Sequence, residues 1–227
     1  MSGRVVILRP QPGADATAAR ARALGLVPVL YPLFAVEPLA WMPPDPAAFD
    51  ALLLTSANAA RHAGPMLAVY LDLPVFAVGE ATARAAAEQG FATIQVCGPD
   101  VQATARTIAQ TGYRAVLHLR GTETRPFDPG ALAVSAIATY RAAPLGDETG
   151  LAAALLPRSV ALVHSPRAGA RLAELVSPER RQDITLAAIS PTTLDACGMG
   201  WNQKHAAEAP NDAAVLAMAL QICDKTP

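Results

Sequence analysis

Val75-Phe-Ala-Val-Gly-Glu-Ala-Thr82-Ala-Arg-Ala85 decides how this chain folds. Val75 to Val78 form a continuous apolar run, as expected of a strand covered on both faces. Gly79 permits a turn that a side chain obstructs. Glu80 to Thr82 then fall in the first turn of a helix, where backbone N–H groups lack intrahelical partners and attract anions. The pattern returns as Leu186-Ala-Ala-Ile-Ser-Pro-Thr-Thr193-Leu-Asp-Ala196, and Thr82 and Thr193 lie 111 residues apart. Both runs are predicted to be central strands feeding helices.

The offset recurs along the chain. Pro99-Asp100 matches Pro210-Asn211, and Leu8-Arg9 matches Leu119-Arg120, each 111 apart. Leu53 to Ser56 matches Leu162 to Ser165, and Tyr31 matches Tyr140, each 109 apart. Five landmarks in one order imply two copies of a unit of about 110 residues, a normal domain size. Paired α/β lobes commonly enclose a cleft, a preferred place for ligands.

Composition narrows the partners. Eighteen Lys+Arg against 19 Asp+Glu leave a net charge of -1, with no basic run to suit nucleic acid or an anionic membrane. Local arginines and helix starts still leave an anionic ligand open. Cys97, Cys197 and Cys223 show no CxxC spacing, which suits a reducing cytoplasm better than disulfides or a zinc site. No apolar run approaches the roughly 18 residues that span a bilayer, and the N-terminus enters a strand too soon for a signal peptide. A cytoplasmic protein is expected.

In order, strands are predicted over 4–10, 26–31, 49–55, 75–78, 93–97, 113–119, 159–164 and 183–189, with a weak edge strand in 201–209. Asp15 is the expected N-cap of the first helix, and Ser56 or Asn58 that of the next. Residues 34–39 and 141–150 read as extended crossovers, and 132–140 as another extended run. Arg180-Arg181 reads as a solvated helix end, and the last helix is expected to fray near Lys225. Alternating strands and helices mean parallel sheets with crossover helices.

Taken together, Leu8-Arg9-Pro10, Leu54-Thr-Ser-Ala-Asn58, Val78-Gly-Glu-Ala-Thr82, Leu119-Arg-Gly121, Thr139-Tyr140-Arg-Ala, His164-Ser165-Pro166 and Ala188-Ile-Ser-Pro-Thr-Thr193 resemble the uroporphyrinogen III synthase family, in that family's order. Ser190 departs from it, standing where the family usually carries Gly, and Ser takes a left-handed turn less freely. The resemblance implies two flavodoxin-like α/β domains, 1–35 with 145–227 and an inserted 38–142. They would be joined by extended linkers near 34–39 and 136–144, with a cleft between the domains. It implies a monomer without metal or organic cofactor that meets hydroxymethylbilane synthase transiently. The reaction would dehydrate and cyclise hydroxymethylbilane, a linear tetrapyrrole with eight carboxylates, inverting its last pyrrole ring. A proton must reach the leaving hydroxyl, and the flexible chain must be held for an otherwise disfavoured carbon to attack.

By the same resemblance Tyr140 takes the place of the family's cleft tyrosine and becomes the proton donor. From the residues alone, a linker tyrosine packed for its area is the favoured reading. Thr82, Thr192 and Thr193, with Ser56, Asn58 and Ser165, would bind carboxylates at helix starts, where ordinary capping is the plain alternative. Gly79 serves the turn. Arg9 and Arg120 end strands, where open α/β sheets bind ligands, or are surface arginines. A non-catalytic two-domain anion-binding or sensor protein is the competing function.

Overall fold

The computed structural model describes residues 3–124 and 126–224; the expected fraying at Lys225 lies outside them. The chain opens with β1 (Arg4–Ile7), α1 (Gly13–Ala23), β2 (Val27–Leu30) and β3 (Phe34–Pro38). Then come β4 (Ala51–Leu54), α2 (Ala57–His62), β5 (Val75–Val78), α3 (Glu80–Glu88), β6 (Ile94–Cys97), α4 (Val101–Gln110), β7 (Ala115–Gly121) and β8 (Ala133–Pro144). The rest forms α5 (Glu148–Ala154), β9 (Val160–Val163), α6 (Pro166–Leu175), α7 (Pro178–Arg181), β10 (Thr185–Ala188), α8 (Pro191–Ala196), β11 (Gln203–Ala206) and α9 (Asp212–Asp224). Contacts divide it into Met1–Ala35 with Ala143–Pro227, and Val36–Ala142.

The first unit holds a five-stranded sheet in the order β11-β10-β9-β1-β2, with every printed pair parallel. The second sheet runs β3-β8-β7-β4-β5-β6, parallel from β8 to β6. Strand by strand, β7, β8, β4, β5 and β6 occupy the positions of β1, β2, β9, β10 and β11. Registers agree as well: Val5 pairs with Val160 as Val116 pairs with Ala51, and Leu186 with Lys204 as Val75 with Ile94. The duplication is therefore real but exchanged. With β3 set aside, each sheet takes two strands from one sequence copy and three from the other.

Burial follows sheet position. β4 (Ala-Leu-Leu-Leu) and β9 (Val-Ala-Leu-Val) are buried throughout, whereas edge strands β6 and β11 carry Gln95, Gln203 and Lys204. The sheet centres are thus β9 in the first unit and β7–β4 in the second. β5 and β10, expected at the centre, lie one place from the edge. In the first unit α1 and α9 cover one face through Ala14, Ala18, Val215 and Leu216 on Val5 and Ile7. α6 packs with α8, where a side chain at Gly169 would meet the Thr193 carbonyl at 2.9 Å. In the second unit α2 and α3 cover the face carrying Leu117 and Leu119, and α4 covers the face carrying Val116.

Three local expectations are corrected. Asp15 does not cap α1, which already begins at Gly13; it sits in the first turn, bonded to Gln11. The crossover at 141–150 contains the start of α5, capped by Asp147 on Gly150 N–H at 2.7 Å. Arg180 and Arg181 are structural rather than solvated. Arg180 donates to the Ala152 and Leu155 carbonyls at the end of α5. Arg181 donates to Ala173, Val176 and Met199 carbonyls and lies 5.4 Å from the Trp201 ring centre. Helix ends expose carbonyls without intrahelical partners, and these two guanidinium groups supply the donors.

Arg181→Ala strands three carbonyl oxygens and is expected to cost about 2–3 kcal/mol in urea unfolding. A loss within about 0.5 kcal/mol, the range of ordinary surface changes, would show that water replaces the guanidinium freely.

Candidate active site

Parallel strands bring the helix starts of each unit to the carboxyl ends of its strands, the usual ligand end of such sheets. In the second unit Ser56 sits in extended backbone and caps α2, accepting from Asn58 N–H at 3.2 Å. Asn58 is half-buried, and among the described residues its amide side chain has no protein partner. Gly79 takes a left-handed φ of 79°, and no side chain caps α3. The first amides of α3 are left without a side-chain acceptor, and Thr82 lies buried one turn in. Gly is required here because L side chains rarely adopt that φ.

The equivalent start in the first unit is built differently. Ser190 has φ −159°, ordinary extended backbone, and accepts from Thr193 N–H at 3.2 Å. The residue that replaces the family's Gly therefore avoids the left-handed turn and becomes a cap. Thr193 is fully buried with its hydroxyl 3.0 Å from Ser190 Oγ, while Thr192 is exposed. Thr193 also accepts the Cys197 thiol on its carbonyl. Burial, eased by Lys204, pushes that thiol up to about 11, so it stays a donor. Ser165 caps α6 through Ala168 N–H at 3.2 Å.

Tyr140 reaches the α2–α3 face by an irregularity. Strand alternation places Ile137 there, Ala138 away, and Thr139 there again, its hydroxyl on the Ala59 carbonyl. The next residue should turn away. Between Arg120 and Gly121 the β7–β8 register slips, and Gly121 pairs with Tyr140. A bulge of this kind puts two successive side chains on one face. Tyr140 packs against the α2–α3 cluster, its ring 6.3 Å from that of His62. Among the described residues its hydroxyl has no hydrogen-bond partner. Tyr31 is not its equivalent: Tyr31 N–H bonds Ile7, three positions short of Tyr140 in register, and its hydroxyl is bound to Asp147.

The two arginines go to the opposite faces. Arg9 follows Val5 and Ile7 onto the α1–α9 face and contacts Thr17 Oγ1 and Asp212 at 3.3 and 3.4 Å. Arg120 follows Val116 and His118 onto the α4 face. It binds the Gly121 and Thr122 carbonyls and Thr124 Oγ1 of its own loop, beside a cavity of about 350 Å³. Neither shares a sheet face with the hydroxyl-bearing helix starts.

The chain matches the model of uroporphyrinogen-III synthase HemD over residues 15–217. It belongs to the uroporphyrinogen-III synthase family. Solved structures agree in fold: uroporphyrinogen-III synthetase from Helicobacter pylori 26695 is 17% identical, with TM-score 0.69 over 98% of this chain and all of the other. A mutant uroporphyrinogen III synthase from Thermus thermophilus is 18% identical, with TM-score 0.52 over 99% and 100%. No curated protein matches the chain. Its activity is that of the family, a lyase step of tetrapyrrole synthesis that dehydrates and cyclises hydroxymethylbilane with the last pyrrole ring inverted.

One polar cluster was not foreseen, and a buried histidine lies apart from it. Asp212 accepts from Thr17 at 2.7 Å, Arg20 at 2.8 Å and His164 at 2.8 Å. Burial raises its pKa, but those three donors outweigh burial and hold it well below the usual carboxylate range. Its place at the start of α9 resembles simple capping, and its partners Thr17 and His164 are 195 and 48 residues away, so no local pattern announces it. His118 is buried 3.2 Å from Thr55 Oγ1 across the β7–β4 pair. Burial, then Arg120, pushes its pKa down to about 4.

The unfolded imidazole titrates near 6.5 and the folded one near 4. Between those values the unfolded chain binds more protons, so stability present above pH 6.5 is lost as pH falls. From about pH 7 to about pH 4.5 the His118 contribution lost is about 2–3 kcal/mol. Urea unfolding of His118→Gln should show a shallower pH dependence by that amount. Equal slopes in the two proteins would mean that His118 is not held neutral by the fold.

Proposed function

We propose that Tyr140 delivers the proton that turns the hydroxyl of hydroxymethylbilane into departing water, while the helix starts of each unit hold the substrate's carboxylates. The observation that carries this reading is a phenol without a hydrogen-bond partner among the described residues, on the sheet face that also bears Ser56, Asn58, Gly79 and Thr82. A phenol ordinarily keeps its proton at neutral pH and can still donate it to a leaving oxygen. Departure of water leaves an azafulvene cation, stabilised by its pyrrole nitrogen. The already substituted carbon of the last ring attacks that cation, its bond to the old methylene breaks, and that methylene re-bonds to the ring's free α-carbon. The proton lost there restores the phenol, so the ring ends inverted and atoms and charge balance.

Carboxylates are gripped through backbone amides and short hydroxyls rather than through arginines. α3, uncapped behind Gly79, offers N–H groups and the positive end of its dipole. In the first unit the exposed Thr192 and the Ser165 start of α6 play the equivalent part, with Thr193 holding Ser190 in place. Arg9 and Arg120 add positive potential from outside this contact set. We place the reaction in the cytoplasm, on a monomer fed by hydroxymethylbilane synthase; the three free cysteines suit a reducing compartment.

The test supplies hydroxymethylbilane from its synthase and porphobilinogen, then separates the oxidised porphyrins by isomer. Wild-type protein should give type III; type I alone, as without protein, would remove the function. Tyr140→Phe should lower kcat about 100-fold with unchanged unfolding, whereas an unchanged kcat would dismiss Tyr140 as donor. Thr82→Ala should raise KM more than it lowers kcat, the mark of binding shared by ground and transition states. Equal losses in kcat and kcat/KM would contradict that role.

A further inference from the structure

We infer that Gly121 is a positioning residue that acts through Tyr140; the inference rests on the proton-donor reading above. Gly121 ends β7 at the register slip opposite Tyr140. A Cβ added there would stand 2.8 Å from Tyr140 Cζ and 3.0 Å from both Cε2 and the hydroxyl oxygen. The absence of a side chain is thus what seats the phenol.

Backbone freedom does not explain this glycine. Gly79 needs its positive φ, but Gly121 is absent from the left-handed residues of the chain, so its φ suits any amino acid. The requirement is space, a recognised reason for glycine within a strand. The bulge and the glycine work together: the slip turns the tyrosine onto the α2–α3 face, and the missing Cβ lets its ring lie against β7. Carbon atoms pack ordinarily at about 3.5–4.0 Å, so alanine displaces the ring by about 1 Å. Displacements of that size at a reacting group cost on the order of 100-fold in rate.

Four proteins test this: Gly121→Ala, Tyr140→Phe, Tyr140→Ala and Gly121→Ala/Tyr140→Ala. Type III formation is measured with thermal unfolding for each. Gly121→Ala should lose about 10- to 100-fold in kcat with KM nearly unchanged. In the Tyr140→Ala background, where the ring no longer competes for the space, adding Gly121→Ala should cost nothing further. An equal loss in both backgrounds would overturn the inference, since Gly121 would then act by itself. Should Gly121→Ala alone fold poorly, the double variant, which has room for the new methyl, still decides the matter through its equality with Tyr140→Ala. If Tyr140→Phe keeps full kcat, the proton-donor reading fails first, and separately.

Discussion

Parallel pairing is the constraint on which everything else in this molecule depends. Because neighbouring strands run the same way, each must be followed by a crossover, and each crossover begins at the same end of its sheet. The free N–H groups of successive helices are collected there without any side chain being chosen for the purpose. Alternation along the strands then sorts side chains between two faces. It sends Arg9 and Arg120 towards α9 and α4, away from Ser56, Thr82, Ser165 and Thr192. The grip by amides and hydroxyls proposed above needs no excess of basic residues, in keeping with a net charge of -1.

One irregularity is set against this regular frame. Had β8 continued in register beyond Arg120, Tyr140 would face α4 along with Arg120. The slip at Gly121 reverses the strand from Tyr140 onward and leaves Ile137, Ala138 and Thr139 before it where alternation placed them. The proposed acid, Tyr140, thereby comes to share a sheet face with Ser56, Gly79 and Thr82 in the second unit. The first unit has Tyr31 three register positions earlier, tied at both its lone pair and its proton to Asp147. The two copies have diverged in chemistry while keeping their strand registers.

Much of this was legible in the sequence where local physics decides. The apolar runs 51–54, 75–78 and 160–163 had to be buried strands, and Ser56, Asp100, Ser165 and Asn211 cap helices as hydroxyl, carboxylate and amide side chains do. The 111-residue offset disclosed the duplication but not the exchange of strands, because sequence similarity does not say which copy a strand pairs with. Tyr31 and Tyr140 matched in spacing and fail in register, since the connection before β8 is shorter than that before β2 and Val27 takes the place of Ala133. Arg180 and Arg181 looked like surface charges and nothing in the sequence singled out Asp212, their partners being carbonyls and side chains from other elements. Thr193 looked like a donor to substrate and is buried against Ser190, a distinction that only packing makes.

In the proposed binding mode, carboxylates meet the helix starts on the α2–α3 and α6–α8 faces. The direct measurement is an amide NMR titration with the type III octacarboxylate product. The largest shifts should fall at 56–58, 79–82, 165–168 and 190–193, with Arg9, Arg120 and the starts of α4 and α9 little moved. Shifts concentrated instead around Arg9, Arg120 and 211–214 would contradict it.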